Sequence, residues 1–368
     1  MAALATVAQT VVTVFGTGIW AGDLPAYLVG WRLARTPEVL YNLDAQRSMA
    51  GTVLNRAGSV PACPFNYPPH LAAVGRFLPA MSYDGVLTAW LVLSGVLLGA
   101  LIWTWTRISR YRVAVGIAVL ASPPVAVSLL TGSILPVAAG GAIAAVVSVR
   151  RTGWAWTLVG ALGWIAVATK PHLAVVLASV CLILATRRAF VSLLAASPVI
   201  VGLPTVLMGP GIWASWVSFL GQFSRSSESD LMCRVPRMAP NLEGILTRAG
   251  WAPPIGLVWF GYIATISALI VWVLRTRPSL TLACMLGAAL VPLSAPHANP
   301  QDLLLCVPLL VLPATRAAKT ANIWAGVVAF VLLTGTDNFT VAVQLGVAAT
   351  LGMMLVRAAR NRASVLAT

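Results

Sequence analysis

The chain has 368 residues, of which 59% are hydrophobic and 9% are charged, and its mean hydropathy is +0.89. This composition leaves too little polar surface for a soluble globular protein and predicts an all-α polytopic membrane protein. The net charge of +15 would suggest nucleic-acid binding in a soluble chain. Here the basic residues form short clusters between apolar runs, a pattern that indicates membrane topology and argues against a nucleic-acid partner.

Twelve apolar segments follow one another along the chain and are candidate membrane spans. The first lacks a basic start and has no small-residue cleavage site before Asp23, so we interpret it as a retained helix rather than a signal peptide. Several segments are shorter than the roughly 20 residues needed to cross a bilayer core, so we expect 10 to 12 spans. The segments are residues 2–20, 84–106, 113–130, 134–149, 154–169, 171–186, 189–208, 255–274, 279–293, 302–314, 322–335 and 339–356.

The positions of the lysines and arginines predict which end of each segment faces the cytoplasm. With the N-terminus in the cytoplasm and one crossing per segment, fourteen of the 24 cations fall in short cytoplasmic turns. The other ten fall outside, together with all nine carboxylates and all three histidines. Every group capable of acid–base or metal chemistry is therefore expected on the outer face. The cytoplasmic cations are Arg107, Arg110, Arg112, Arg150, Arg151, Arg187, Arg188, Arg275, Arg277, Arg316, Lys319, Arg357, Arg360 and Arg362.

Two outer loops are long, residues 21–83 and 209–254. In the first loop, residues 24–35 and 44–57 are predicted to form amphipathic helices that lie along the membrane surface. The sequence shows no internal repeat and no low-complexity stretch. We therefore expect residues 1–368 to form a single integral membrane domain.

Two charged residues at the ends of apolar segments are candidates for chemistry. Asp23 lies at the membrane interface, where partial desolvation and a nearby lipid-linked substrate would make it a general base; the alternative is a solvated carboxylate at a helix end. Lys170 follows residues 154–169 and is one of two lysines in the chain. It is either a cation for a phosphate or a lysine that extends from a helix end to the interface.

A polar turn at residues 294–302 adds His297 and Asp302. His297 can donate a hydrogen bond to a phosphate, whereas Asp302 is better explained as the N-cap of the following helix than as a partner for His297.

Cys63 and Cys233 lie in the two outer loops and form either a disulfide or two free thiols. No P-loop, HExxH or zinc-spaced Cys and His set occurs, so we predict no metal and no cofactor.

Short motifs across most of the chain together resemble those of a known enzyme family. The first loop contains Asp23, Tyr27, Leu40, Tyr41, Asp44, Tyr67, Pro68 and Pro69, and the span after it holds Trp90. Residues 168–172 (ATKPH) and 294–297 (SAPH) follow later. This set resembles the first loop, the Lys-Pro helix end and the Pro-His turn of bacterial glycosyltransferase family 87. At residues 131–133 the chain has Thr-Gly-Ser, where that family often has Gly-Gln.

The resemblance implies a GT-C fold, in which the first outer loop of a multi-helix membrane enzyme carries the catalytic carboxylate. It assigns the general base to Asp23 and the donor phosphate to Lys170 and His297. The expected substrate-binding residues are Lys170, His297, Tyr27, Tyr67 and Arg32. It also implies a polyprenyl-phosphate sugar donor, often of mannose, a lipid-linked glycan acceptor, membrane lipids as partners, and an active site on the outer, periplasmic face of the inner (plasma) membrane.

The expected reaction is a single displacement with inversion, because a lipid phosphate is already a good leaving group and one carboxylate suffices to deprotonate the acceptor. Mannose is the first choice of sugar, and arabinofuranose is the second. A lipid or sugar transporter or flippase is the alternative class. Such proteins tend to show inverted repeats and ionisable groups at mid-membrane, and His297 and Asp302 would lie there if residues 294–302 formed a re-entrant hairpin.

Overall fold

The computed structural model describes residues 23–54, 63–79, 81–106, 112–120, 122–225 and 239–308. The regular elements in these ranges are all helices. Two 3₁₀-helices, Pro37–Val39 and Pro300–Cys306, and a π-helical segment, Pro198–Gly202, accompany the α-helices. The α-helices are α1 Asp23–Leu33, α2 Leu43–Val53, α3 Pro69–Val74, α4 Tyr83–Thr106, α5 Arg112–Leu120, α6 Pro123–Leu130, α7 Leu135–Ser148, α8 Trp154–Val167, α9 Pro171–Ser197, α10 Leu203–Met208, α11 Gly211–Arg225, α12 Leu242–Arg248, α13 Ile255–Thr276 and α14 Leu280–Ser294.

Three helical stretches are long and apolar enough to cross a membrane: Tyr83–Thr104, Arg187–Met208 and Ile255–Thr276. Four shorter apolar helices, Leu135–Ser148, Trp154–Val167, Pro171–Ala185 and Leu280–Ser294, accompany them. At 1.5 Å per residue these are about 22 Å long, less than the roughly 30 Å of a bilayer core. The expected membrane class is confirmed, but the count of ten to twelve spans is not. Candidate spans 2–20, 322–335 and 339–356 lie outside the described residues.

Proline changes two of the predicted spans. Residues 113–130, expected as one span, form two short helices, α5 and α6, because Ser122 takes an extended conformation before Pro123 and Pro124 (φ −77°, ψ 145°). The segment predicted at residues 302–314 begins instead as the 3₁₀-helix Pro300–Cys306, and its part from residue 309 onward lies outside the described residues.

The turn predicted at Arg187 and Arg188 coincides with a break in α9. Ala185 has non-helical backbone angles (φ −134°, ψ 27°), and both arginines are exposed. The helix is therefore divided near the point where the sequence separates two apolar segments, and its second part continues through the π-helical segment into α10.

The apolar helices pack closely around α8 and α9. Helix α8 lies against α7 and α9, and α9 also contacts α13 and α14. A Cβ atom added to Gly141 of α7 would lie 2.6 Å from the Cβ atom of Ala166, and one added to Gly163 would lie 2.6 Å from the backbone nitrogen of Ala145. These glycines thus let the backbones of α7 and α8 approach directly, as small residues do between membrane helices.

The described parts of the two long loops pack against each other. Residues of α1, including Leu24 and Tyr27, share an apolar cluster with Phe65 of the first loop and with Phe219 and Phe223 of the second. Trp216 donates its indole N–H to the carbonyl oxygen of Asn66 (3.1 Å). The helix predicted at residues 24–35 therefore exists as α1, but it is not an amphipathic surface helix, because α2, α3 and α4 pack against it and most of its residues are buried.

The second helix predicted for the first loop is confirmed up to Val53. Helix α2 buries Gln46, Ala50 and Val53 and exposes Asp44, so it has one buried and one solvent-facing side, as predicted. Residues 55–57 of that prediction lie outside the described residues.

Candidate active site

The first turn of α1 places Asp23 against the loop between α6 and α7. The backbone N–H groups of Asp23 and Leu24 both donate to the carbonyl oxygen of Thr131, at 2.7 and 3.3 Å. Gly132 follows with φ +67°, and a Cβ atom added there would lie 2.7 Å from the Cβ atom of Leu24. A side chain at this position would therefore meet both backbone strain and a clash, so the loop fits closely around the start of α1.

The carboxylate of Asp23 is half-buried in a group of polar side chains. The hydroxyl groups of Tyr67 and Ser133 lie close enough to act on it as hydrogen-bond donors, and the charges of Lys170 and Asp302 also act on it. Burial raises the pKa of Asp23 from 3.8 to about 6, and the charge of Asp302 adds to the rise, whereas Lys170 and the two hydroxyl donors oppose it. A carboxylate with this pKa is a stronger base than an ordinary aspartate and is still ionised at neutral pH.

A chain of hydrogen bonds orients Tyr67 toward Asp23. The backbone N–H of Ile134 donates to the hydroxyl oxygen of Tyr27 (2.9 Å), and Tyr27 donates to the hydroxyl oxygen of Tyr67 (3.1 Å). The hydroxyl proton of Tyr67 is thereby left available to the nearby carboxylate of Asp23. Burial and the charge of Asp23 raise the pKa of both tyrosines well above the usual value, so both remain protonated donors. Tyr27 is 0% exposed, whereas Tyr67 is half-buried.

Lys170 and Asp302 form a buried ion pair beside this group. The distance from Lys170 Nζ to Asp302 Oδ1 is 2.5 Å, and both residues are buried. The other carboxylate oxygen of Asp302 accepts the backbone N–H of Asn299 (3.0 Å), which closes a capping box on the 3₁₀-helix Pro300–Cys306. The N-cap of that helix is Asn299, so the prediction that Asp302 is the N-cap was wrong by three residues.

His297 lies on the aromatic side of the site. Its ring packs against Phe223 (centroids 5.7 Å apart) and Trp259 (6.4 Å). His172, two residues after Lys170, is close enough for its ring to interact electrostatically with Lys170, Asp302 and His297. The Nε2 atom of His172 is buried and has no hydrogen-bond partner.

Asn241 of the second outer loop anchors the turn that carries His297. Its side-chain amide donates to the carbonyl oxygen of Ala295 (2.6 Å), and its side-chain oxygen caps α12 by accepting from Gly244 (3.1 Å). Asn241 is 0% exposed. The second outer loop therefore fixes the position of the 294–302 turn.

Of the other predicted site residues, Arg32 lies apart from Asp23. It is nine residues further along α1, about 13 Å at 1.5 Å per residue, and it donates to the carbonyl oxygen of Met81 (3.4 Å).

Cys63 is in a disulfide. Cys233, the partner proposed from the sequence, lies outside the described residues. No group of three or more His, Cys, Asp or Glu in the described part of the chain could hold a metal ion.

The structure thus brings Asp23, Tyr27, Tyr67, Lys170 and His297 into one neighbourhood and leaves Arg32 outside it. It adds residues that the sequence did not assign to the site: Ser133, His172, Asn241 and, as an ion-pair partner, Asp302. Three of these had a signal in the sequence: His172 belongs to the motif at residues 168–172, Asp302 to the polar turn at residues 294–302, and Ser133 to the loop at which the chain departs from the family pattern.

The helices and this polar site define a class of protein. Helices long and apolar enough to span a membrane accompany a polar site in which one half-buried carboxylate lies beside two hydroxyl groups and a buried ion pair. The model of Glycosyltransferase family 87 matches residues 65–296, more than half of the chain. The chain belongs to glycosyltransferase family 87 and is a membrane glycosyltransferase.

The family match covers Tyr67, Ser133 and Lys170 but begins after Asp23 and ends one residue before His297. The contacts of Asp23 with residues inside the match therefore connect it to the family region. Comparison with curated proteins and with solved structures gave no significant match.

Proposed function

We propose that the protein transfers a sugar, mannose in the first instance, from a polyprenyl-phosphate donor to a lipid-linked glycan acceptor. In this proposal the chain has a GT-C fold and Asp23 is the general base. The observation that carries it is the environment of Asp23: a half-buried carboxylate, held by Tyr67 and Ser133, whose pKa is raised to about 6. Family membership supplies glycosyl transfer as the reaction class.

The reaction needs one proton acceptor and one way to stabilise the leaving group. Asp23 removes the proton from an acceptor hydroxyl as its oxygen attacks the anomeric carbon of the donor sugar. The bond from that carbon to the phosphate oxygen breaks, and the polyprenyl phosphate leaves with the electron pair. Attack on the face opposite the leaving group inverts the anomeric configuration. Since the phosphate leaves as an anion, it requires cations or hydrogen-bond donors rather than a general acid.

Lys170 and His297 are proposed to hold the phosphate. An ammonium group carries three N–H donors, and the ion pair with Asp302 occupies one side of Lys170. The remaining donors are available to a phosphate while Asp302 keeps the group in place. His172 extends this side of the site, because its buried Nε2 atom has no protein partner and its ring lies near Lys170 and His297.

Tyr27 is proposed to act through Tyr67 rather than on the substrate. It is fully buried, and its hydroxyl group fixes the direction in which Tyr67 donates. Tyr67 is half-buried and is therefore the tyrosine that an acceptor sugar can reach.

The site is proposed to lie on the outer face of the inner membrane. Arg150 contacts Thr281, and Arg277 donates to the carbonyl oxygen of Ile183 (3.0 Å), so these basic turns meet at one end of the helices. Lys170 precedes Ile183 by thirteen residues of largely helical chain, about 20 Å, and lies at the other end. The positive-inside rule assigns the arginine end to the cytoplasm. The disulfide of Cys63 also fits an oxidising compartment.

The decisive experiment supplies the purified protein with polyprenyl-phosphate mannose, polyprenyl-phosphate arabinofuranose and a lipid-linked oligosaccharide acceptor. The expected result is transfer from the mannose donor, with the new linkage inverted relative to the donor when the product is examined by NMR spectroscopy. Transfer from the arabinose donor alone would replace the sugar assignment. A retained anomeric configuration would contradict the single displacement. Passage of the donor across vesicles without transfer would support the transporter alternative.

A further inference from the structure

A polar cavity, here called the arginine cleft, lies toward the opposite end of α1 from Asp23. It has a volume of about 310 Å³ and separates the C-terminal half of α1 from the segment that leads into α4. The guanidinium groups of Arg32 and Arg35 line it, and the other lining side chains are apolar, among them Leu28, Trp31, Leu78 and Met81.

Both arginines of the cleft have unused hydrogen-bonding capacity. Arg35 donates to the carbonyl oxygen of Leu78 (3.1 Å) and Arg32 to that of Met81 (3.4 Å), whereas each guanidinium group has five N–H donors. Neither forms an ion pair with a carboxylate of the described residues, where the ion pairs are Arg47–Asp44 and Lys170–Asp302. Two like charges that line one cavity repel each other, so a bound anion would stabilise the arrangement.

The arginine cleft lies at the level of lipid headgroups. Met81 is two residues before the first residue of α4, which is long and apolar enough to cross a membrane. Earlier in the same segment, Val74 and Phe77 are exposed by 41% and 66%. Exposed apolar side chains beside a span insert into the boundary between headgroups and acyl chains. The anion available at that boundary is a lipid phosphodiester.

We propose that Arg32 and Arg35 bind the phosphodiester of the acceptor lipid. This inference rests on the proposed function, in which the acceptor hydroxyl is at Asp23. Since α1 separates the cleft from Asp23 by about 13 Å, an acceptor that occupies both has a short oligosaccharide, rather than a single sugar ring, between its phosphodiester and the reacting hydroxyl. Arginine suits this role because its planar guanidinium group binds phosphate oxygens in pairs.

The kinetic test compares two acceptors with the same oligosaccharide and the same lipid chain, one joined through a phosphodiester and the other through an uncharged glycosidic bond. The wild-type protein is expected to show a KM at least tenfold lower for the phosphodiester acceptor. The double variant Arg32→Gln/Arg35→Gln should lose this advantage while its kcat and its KM for the donor stay within about twofold. Arg47→Gln, which removes a partly exposed arginine of α2 that lies outside the cleft, should keep the advantage. Equal KM values for both acceptors in the wild type would overturn the proposal.

A binding measurement without donor separates this inference from the proposed reaction. Equilibrium binding of both acceptors and of dioctanoyl phosphatidylglycerol is measured with the full chain in detergent, for the wild type and the double variant. Arginine-dependent preference for the phosphodiester acceptor supports the cleft even if no transfer is detected, in which case the proposed reaction alone fails. If phosphatidylglycerol binds as tightly and with the same arginine dependence, the cleft holds bulk anionic lipid and the acceptor assignment is overturned.

Discussion

Removing either charge of the Lys170–Asp302 ion pair should move the pH dependence of the transferase, and the two shifts should have opposite signs. The negative charge of Asp302 raises the pKa of Asp23, and the positive charge of Lys170 lowers it. Asp302→Asn is therefore expected to lower the pH of half-maximal kcat/KM, and Lys170→Met is expected to raise it. Because kcat/KM reports the free enzyme, its midpoint in the wild type should lie near the pKa of Asp23, about 6.

The expected size follows from Coulomb's law. At a separation on the order of 8 Å and an effective dielectric constant of about 20, one unit charge contributes roughly 2 kcal/mol. This is equivalent to about 1.5 pKa units. We therefore expect a midpoint between about pH 4.5 and 5 in Asp302→Asn and between about pH 7 and 7.5 in Lys170→Met. The shift should be larger for Lys170, whose charge has the stronger influence on Asp23.

The double variant Lys170→Met/Asp302→Asn is the internal control. Lys170→Met alone leaves the carboxylate of Asp302 buried and unpaired, which costs about 3–5 kcal/mol of folding free energy, so folding of each variant is checked by thermal unfolding. The double variant removes both charges, and its midpoint should return to within about 0.5 pH units of the wild type. Asp84→Asn, which neutralises an exposed carboxylate at the start of α4, should leave the midpoint unchanged.

The assay measures initial rates at subsaturating donor across the pH range, on equal amounts of folded protein. Lys170 is also proposed to hold the donor phosphate, so the rate of Lys170→Met falls while its midpoint remains measurable from the residual activity. Midpoints that moved in the same direction in the two single variants, or that did not move in either, would refute the claim that this ion pair sets the basicity of Asp23.

Three further predictions concern the same site. In Asp23→Asn the free energy of unfolding should rise by up to about 3 kcal/mol at neutral pH but little at about pH 4. The pKa of Asp23 is raised in the folded state, so its ionised form destabilises the folded state above pH 6, and this cost disappears as the carboxyl group is protonated. Equal changes in Tm at the two pH values would disprove this. Tyr67→Phe removes a donor to Asp23 and should raise the kcat/KM midpoint by about 1 pH unit, whereas an unchanged midpoint would show that the hydroxyl group does not act on the base. Gly132→Ala should destabilise by about 2–3 kcal/mol, and Gly250→Ala by only about 1–2 kcal/mol, because both glycines have positive φ but only an alanine at position 132 meets Leu24. Urea unfolding that gave equal losses would exclude the clash.

The sequence predicted the parts of the fold that depend on local composition. The apolar segments 84–106 and 255–274 appear as the long helices α4 and α13, because a continuous apolar run of that length has few other stable forms in a membrane. The paired Pro123 and Pro124 could also have been read correctly as a break between α5 and α6, since proline disrupts the preceding helical turn.

Other features depend on contacts between distant parts of the chain and left no local signal. Lys170 and Asp302 are 132 residues apart, so neither the distance nor the pairing could be predicted from spacing. The burial of α1 depends on α2, α3 and α4, which pack against it, and Phe219 and Phe223 of the second loop join the same apolar cluster. Considered alone, residues 24–35 combine apolar and charged positions, which is why the sequence predicted a surface helix.

The roles of the polar residues remain predictions, and the contacts of these residues could not be predicted from the sequence. Asp23 was selected because it follows an apolar segment, and the structure places its carboxylate in a half-buried position. Its hydrogen-bond donors, Tyr67 and Ser133, come from separate loops that meet only when α1 packs against the turn after α6. Family resemblance pointed to Tyr67 but not to Ser133, because the chain departs from the family pattern at that turn.

The central claim is that Asp23 is the base of a glycosyl transfer, and transfer of radiolabelled mannose from polyprenyl-phosphate mannose to a lipid-linked oligosaccharide tests it most directly. Wild type and Asp23→Asn are compared at neutral pH, with donor binding and thermal unfolding measured on the same preparations. The account predicts that Asp23→Asn folds and binds donor but transfers sugar about 10²- to 10⁴-fold more slowly. A folded Asp23→Asn protein that transfers mannose at the wild-type rate would contradict it.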